Sequence, residues 1–190
     1  MPDIVIKVGG SLLAYVEQLD AVLVSIAQMA TSRRLLIVPG GGPFTDVVRD
    51  LDRRLGIPDA AAHWMAILGM DQHAHLLAAR LPGGAVVSGP ADARRVLDGG
   101  KIPVLAPSRW LMEADPLPHS WEVTSDSIAA WVAGQLGAPR LILIKPPGAA
   151  GHALVDPFFS RALPSRVTAT AIPADDVQAR PGLLTSSELA

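Results

Sequence analysis

Two glycine-rich stretches near the start of the chain each follow an apolar run: KVGGS (Lys7 to Ser11) and PGGGPF (Pro39 to Phe44). Glycine lets backbone approach a ligand closely, and a helix N-terminus adds free N–H groups and the positive end of a dipole, so such junctions suit anions. Taken alone, KVGGS is equally well a strand-to-helix turn with a lysine on its rim. PGGGPF shifts the balance, because three consecutive glycines cost backbone entropy that a plain turn does not require. Later come an acid heading an amphipathic stretch, VTSDSIAAWVAGQLG (Val123 to Gly137), and a second strand-end lysine in LIKPPGAAG (Leu143 to Gly151). Asp126 either stabilises a helix N-terminus, with Thr124 or Ser125 as cap, or orients two lysines on a transferring phosphoryl group. Asp71 and His75, four apart on one helical face, either contact a polar or cationic substrate or form a solvated surface pair. His73 points away from His75, so the two make a poor metal pair, and no HExxH is present.

These residues need a scaffold that brings strand ends together. Short apolar runs at Asp3–Val8, Arg34–Pro39, Gly84–Ser88, Ile102–Pro107 and Arg140–Lys145 read as buried strands. Between them, helical periodicity runs through Leu12–Ile26, Phe44–Leu55, Ala60–Arg80, Ala91–Leu97 and Thr124–Leu136. Alternation of this kind predicts an α/β protein: a mostly parallel central sheet with helices on both faces, in three layers. Ligands then bind beyond the carboxyl ends of the strands, where Lys7, the glycine stretches and Lys145 all fall. The proline-bearing stretch Glu113–Glu122 is read as a loop able to cover a site. After Ala171 the chain is polar and loses helical period, so 171–190 is expected to be a loose tail of a single domain spanning 1–190.

Composition narrows the function. With 16 Lys and Arg against 18 Asp and Glu, and a net charge of −2, there is no basic field to gather nucleic acid. No charge-free apolar run reaches the length of a membrane span, and no signal peptide is visible. The absence of cysteine excludes disulfides, thiolate metal sites and a Cys nucleophile, and agrees with a cytoplasmic location. GxGxxG, Walker and GxSxG motifs are also missing, which argues against a Rossmann oxidoreductase and a serine hydrolase.

KVGGS after one strand, VPGGGPF after the next and VTSDSIAAWVA late in the chain together resemble the amino acid kinase family, over roughly Ile4 to Asp156. GMDQHAHLLA, PVLAPSRWL and LILIKPPG look closest to kinases of methanofuran biosynthesis and their methylotroph relatives, which convert 5-(aminomethyl)-3-furanmethanol phosphate to the diphosphate. The resemblance implies an ATP-dependent phosphotransferase with a three-layer α/β/α fold and a shortened C-terminal region. Mg²⁺ would be carried mainly by nucleotide phosphates, with no protein-ligated metal. It implies catalytic roles for Lys7 and Asp126, and Lys145, the last lysine in the chain, takes the second lysine's role by default. Gly9, Gly10, Ser11, Gly148 and Asp156 would hold nucleotide phosphates or lie on the nucleotide side. Gly40, Gly41, Gly42, Asp71, His75, Thr124 and Ser125 would serve the acceptor. The expected partners are a small phosphorylated substrate and further copies of the chain, with neither nucleic acid nor membrane. A non-catalytic nucleotide- or small-molecule-binding protein on the same fold is the alternative.

Overall fold

A computed structural model describes residues 1–149, 154–180 and 182–185. Six parallel strands form one sheet: β1 (Ile4–Val8), β2 (Leu35–Pro39), β3 (Gly84–Val87), β4 (Ile102–Leu105), β5 (Arg140–Lys145) and β6 (Thr168–Pro173), in the order β3-β4-β2-β1-β5-β6. The helices are α1 (Val16–Met29), α2 (Gly42–Leu55), α3 (Asp59–Arg80), α4 (Pro90–Asp98), α5 (Ser108–Ala114), α6 (Ser125–Leu136), α7 (Phe159–Ala162) and α8 (Ala174–Ala179). A 3-10 turn, Gly10–Ala14, links β1 to α1.

β1 through β5 lie where the apolar runs predict them. Their side chains alternate between two cores because successive strand residues face opposite sides. Ile4, Ile6 and Val8 pack with α1 and α8, whereas Val5, Leu141 and Leu143 pack with α6. α3, 22 residues long, feeds both cores: Ile67 and Met70 one, Ala74 and Leu77 the other. Each fully buried Leu or Ile removed from water contributes roughly 1.5–3 kcal/mol, and this two-sided burial holds the sheet as a middle layer.

Residues after Ala171 depart from expectation. β6 pairs in register with β5 from Thr168↔Arg140 to Pro173↔Lys145, and α8 buries Ala174 and Val177 against α1. The strand TATAIP is half-exposed and rich in small residues, as an edge strand tolerates, so it lacks the unbroken apolar signature of its buried neighbours. Residues 186–190, the end of the expected tail, lie outside the described residues. Among the described residues, no helix is long and apolar enough to cross a membrane.

The strand order places the site. β1 lies between β2 and β5, so the chain leaves β1 to build one side of the sheet and returns to build the other. A crevice opens at such a switch point beyond the carboxyl ends, here those of β1, β2 and β5.

Candidate active site

Strand alternation puts Lys7 on the same face as Val5, and Lys145 on the same face as Leu141 and Leu143. α6 covers that face and brings Asp126, in its first turn, down between the two lysines. Lys7 Nζ lies 3.0 Å from Asp126 Oδ1, and Lys145 Nζ donates to Oδ2 at 2.7 Å. All three side chains are buried. Two ammonium groups on one carboxylate sum to one positive charge, held where water cannot screen it well. Burial opposes ionisation of Asp126, but Lys7 and Lys145 outweigh it and hold the carboxyl below its usual range. Lys145 moves down as well, chiefly through burial and then through the charge of Lys7, with Asp126 opposing.

The two glycine loops meet backbone to backbone beside this trio. A Cβ on Gly10 would stand 2.1 Å from the amide nitrogen of Gly42, and Gly42 itself has φ 55°, so neither position accepts another side chain without moving the loops apart. Gly9 N donates to Ile144 O at 3.1 Å and Gly40 N to Val8 O at 2.8 Å. Those two amides extend the sheet's own bonding, which corrects the expectation that Gly9's amide faces phosphate. The phosphate-facing candidates are the first amides of the following helical turns, around Ser11, Gly41 and Gly42, which lack partners within the helix.

Ser11, Gly41 and Gly42 line a cavity of about 240 Å³. One wall is a stripe on α3, Asp59, Ala62, His63, Ala66, Ile67 and Met70, which recurs with each turn of the helix. Thr45 and Arg49 of α2 form another wall, and Trp121 and Thr124 of the loop before α6 close it with Ser125, the first residue of that helix. That loop is tied at two points. Trp121 Nε1 donates to Asp52 Oδ2 at 2.8 Å while the Arg49 guanidinium lies 5.0 Å from the centre of the Trp121 ring. His119 stacks on His63 with ring centres 4.4 Å apart and pairs with Asp115 at 2.8 Å. Burial, then the nearby His119, pulls the His63 pKa down to about 4, so it is a neutral ring at pH 7.

Four site expectations need correction. Asp71 does not line the cavity: its carboxylate accepts from Ser108 N at 3.1 Å and from Ser108 Oγ, which fixes the start of α5. His75 is exposed. Both lie beyond the stripe ending at Met70, on a different side of the same helix, which a spacing of four cannot reveal. Asp156 accepts from Thr124 N at 3.0 Å, Thr124 Oγ1 at 2.7 Å, Ser127 N at 3.0 Å and Ser127 Oγ. It is a capping carboxylate for α6, with its oxygens occupied by the helix end. Gly148 N lies 3.3 Å from both carboxylate oxygens of Asp175, an acid that disfavours phosphate at that amide. The end of the Lys145–Gly151 stretch lies outside the described residues.

Sequence reasoning passed over Thr45, Arg49, Asp59 and His63, and considered His73 only as a poor metal partner for His75, although it is buried. Thr45 and Arg49 carry a legible signal, being one and two turns beyond the second glycine loop on one helical face. His63 and Trp121 carry none, because only the loop's path brings them together.

A parallel sheet whose switch point holds two glycine loops and a carboxylate bridging two buried lysines defines an α/β protein with a buried, net positive site between strand ends. The chain belongs to the amino acid kinase family, which its residues 3–146 match. It is 32% identical over 139 residues, 73% of this chain and 63% of the relative, to the [5-(aminomethyl)furan-3-yl]methyl phosphate kinase of Methanocaldococcus jannaschii. It thus spans less than two thirds of that relative's length. Among solved structures, uridylate kinase from Archaeoglobus fulgidus superposes with a TM-score of 0.59 at 21% identity, over 75% of this chain and 62% of that one. UMP kinase from Bacillus anthracis superposes with a TM-score of 0.64 at 17% identity, over 96% and 90%. At these identities the superpositions show the shared fold.

Proposed function

We propose that the protein is an ATP-dependent phosphotransferase whose acceptor is itself a phosphate ester, [5-(aminomethyl)furan-3-yl]methyl phosphate or a close analogue, in the making of a methanofuran-type cofactor. The observation that carries the reading is Asp126 bridging Lys7 and Lys145 beside the two touching glycine loops. Phosphoryl transfer asks for positioning and charge neutralisation and no covalent intermediate. An acceptor phosphate oxygen attacks the terminal phosphorus of ATP, the bond to the ADP oxygen breaks, and Lys7 and Lys145 neutralise charge on the group in transit. Asp126 keeps the two ammonium groups at a common point. Mg²⁺ fits as a companion of the nucleotide's phosphates, because Asp126 already has both oxygens on ammonium groups.

The cavity supports the acceptor. Arg49 and the amides of Gly41 and Gly42 suit its phosphate, and Trp121 and His63 add aromatic surface to the lining for a small ring. Asp59, on the cavity wall, replaces Asp71 as partner for the amine. Thr124 and Ser125 remain acceptor-side candidates, and Gly10 and Ser11 nucleotide-side ones. The chain would work as one domain. Exposed Val47 and Leu55 on α2 and Leu68 on α3 offer an apolar face for association of copies, which light scattering measures.

The test is incubation with ATP, Mg²⁺ and the aminomethylfuran phosphate, followed by chromatography for ADP and the diphosphate. Turnover of UMP alone would remove the acceptor assignment. Calorimetric binding of ATP with no transfer to any phosphate ester would favour a non-catalytic binding protein instead.

A further inference from the structure

We propose that His73 is a positioning residue that locks the Gly40–Gly41 peptide so that its N–H, and not its carbonyl, faces the phosphoryl-transfer cleft. The inference rests on the phosphoryl-transfer reading and adds the device that sets one of its amide donors.

His73 is fully buried, and its Nδ1 lies 2.6 Å from Gly40 O. A carbonyl only accepts, so Nδ1 carries the proton and Nε2 is a bare lone pair. Among the described residues Nε2 has no partner, although it is buried. Burial, opposed by the Gly40 bond and aided by the charge of Lys7, keeps the ring neutral by lowering its pKa. A buried acceptor without a partner is a cost that an apolar residue at this position would avoid. The histidine therefore has to be explained by its other nitrogen.

The carbonyl of Gly40 and the N–H of Gly41 belong to one rigid trans peptide and point in opposite directions. Holding the oxygen at His73 aims the Gly41 N–H away from that ring. Gly41 lines the cavity. Between two glycines no Cβ resists rotation of that peptide, and a rotated peptide would present a carbonyl oxygen to the phosphate and repel it. The first glycine loop has no need of such a lock, because its equivalent carbonyl, Gly9 O, already accepts from Leu12 N at 3.1 Å.

Three variants separate a lock from a core-filling ring. His73→Asn keeps an N–H near the Nδ1 position, His73→Gln moves it towards Nε2, and His73→Phe fills the space with no donor. For the full chain with ATP, Mg²⁺ and the furan phosphate, His73→Asn is expected to retain kcat near wild type. His73→Gln and His73→Phe should each lose about 100-fold, the scale of one misplaced anion-stabilising donor. Thermal midpoints confirm that the proteins compared are folded. Hydrogen exchange across Gly40–Gly42 should quicken in His73→Phe and stay slow in His73→Asn. Nitrogen-15 spectra of the ring should show the Nδ1–H tautomer between pH 6 and 8. Equal kcat in all three folded variants, or an Nε2–H tautomer, overturns the proposal. A wild-type protein inactive on every acceptor would instead defeat the phosphotransfer reading, while exchange and tautomer would still decide the lock.

Discussion

Two buried aspartates meet at the start of α6, and their fates differ. Asp126 lies between the ammonium groups of Lys7 and Lys145, whereas Asp156 is surrounded by hydroxyl and amide donors of Thr124 and Ser127. Neutral donors satisfy Asp156 completely and leave nothing for a ligand, so its work is to hold a helix end. Two ammonium groups around Asp126 leave an excess of one positive charge. A buried carboxylate is therefore identified by its partners and not by its burial or its place in sequence.

The comparison breaks most sharply at Asp126→Asn. Removing the anion between two buried ammonium groups is expected to lower kcat by about 10³-fold, at the upper end for one electrostatic element. Stability should fall by roughly 3–5 kcal/mol, as when one partner of a buried pair is lost. Steady-state kinetics and urea unfolding measure both, and a fully active Asp126→Asn would end the assignment.

Asp156→Ala should divide the two effects. It strands the Thr124 and Ser127 donors at a cost of roughly 2–3 kcal/mol, with kcat changed by less than about tenfold on the scale of a lost catalytic donor. An activity loss equal to that of Asp126→Asn, in folded protein, would put Asp156 back in the reaction.

A smaller effect is expected from pH. Because burial and Lys7 lower the Lys145 pKa, this ammonium loses its proton before an ordinary lysine as pH rises, and the rate falls on an alkaline limb beginning below the usual lysine range. Lys145→Arg should move that limb upward, since guanidinium stays protonated. A profile unchanged by the substitution would assign the limb to another group.

A further effect, on stability alone, is expected at His63, which lines the cavity with Thr124 and Ser125. Its folded pKa of about 4 is below the 6.5 of the unfolded ring, so the unfolded chain binds more protons in that window. Stability present above pH 6.5 is lost as pH falls towards 4. His63→Phe should flatten that part of the stability curve, as followed by thermal melts across pH.

Much of this was legible beforehand, for identifiable reasons. Lys7 and the glycine loops announce themselves because strand, glycine and helix follow one another locally. Asp126 is equally visible as the acid after Thr124, the residue that does cap α6. Asp71 misled because helical spacing says which residues share a face and not what that face meets. β6 stayed hidden because an edge strand of threonine, alanine and proline has little apolar signature.

Local sequence sets the alternation of strands and helices, the parity that turns Lys7 and Lys145 to one face of their strands, and the backbone freedom at Gly10 and Gly42. Those are local properties, set by side-chain pattern and φ/ψ. The position of β1 between β2 and β5 emerges only when the whole chain packs. Strand order depends on which crossovers bury the most apolar surface together, and no single segment encodes it. That order brings Lys145 beside Lys7, lays one glycine loop on the other and carries His73 beneath Gly40.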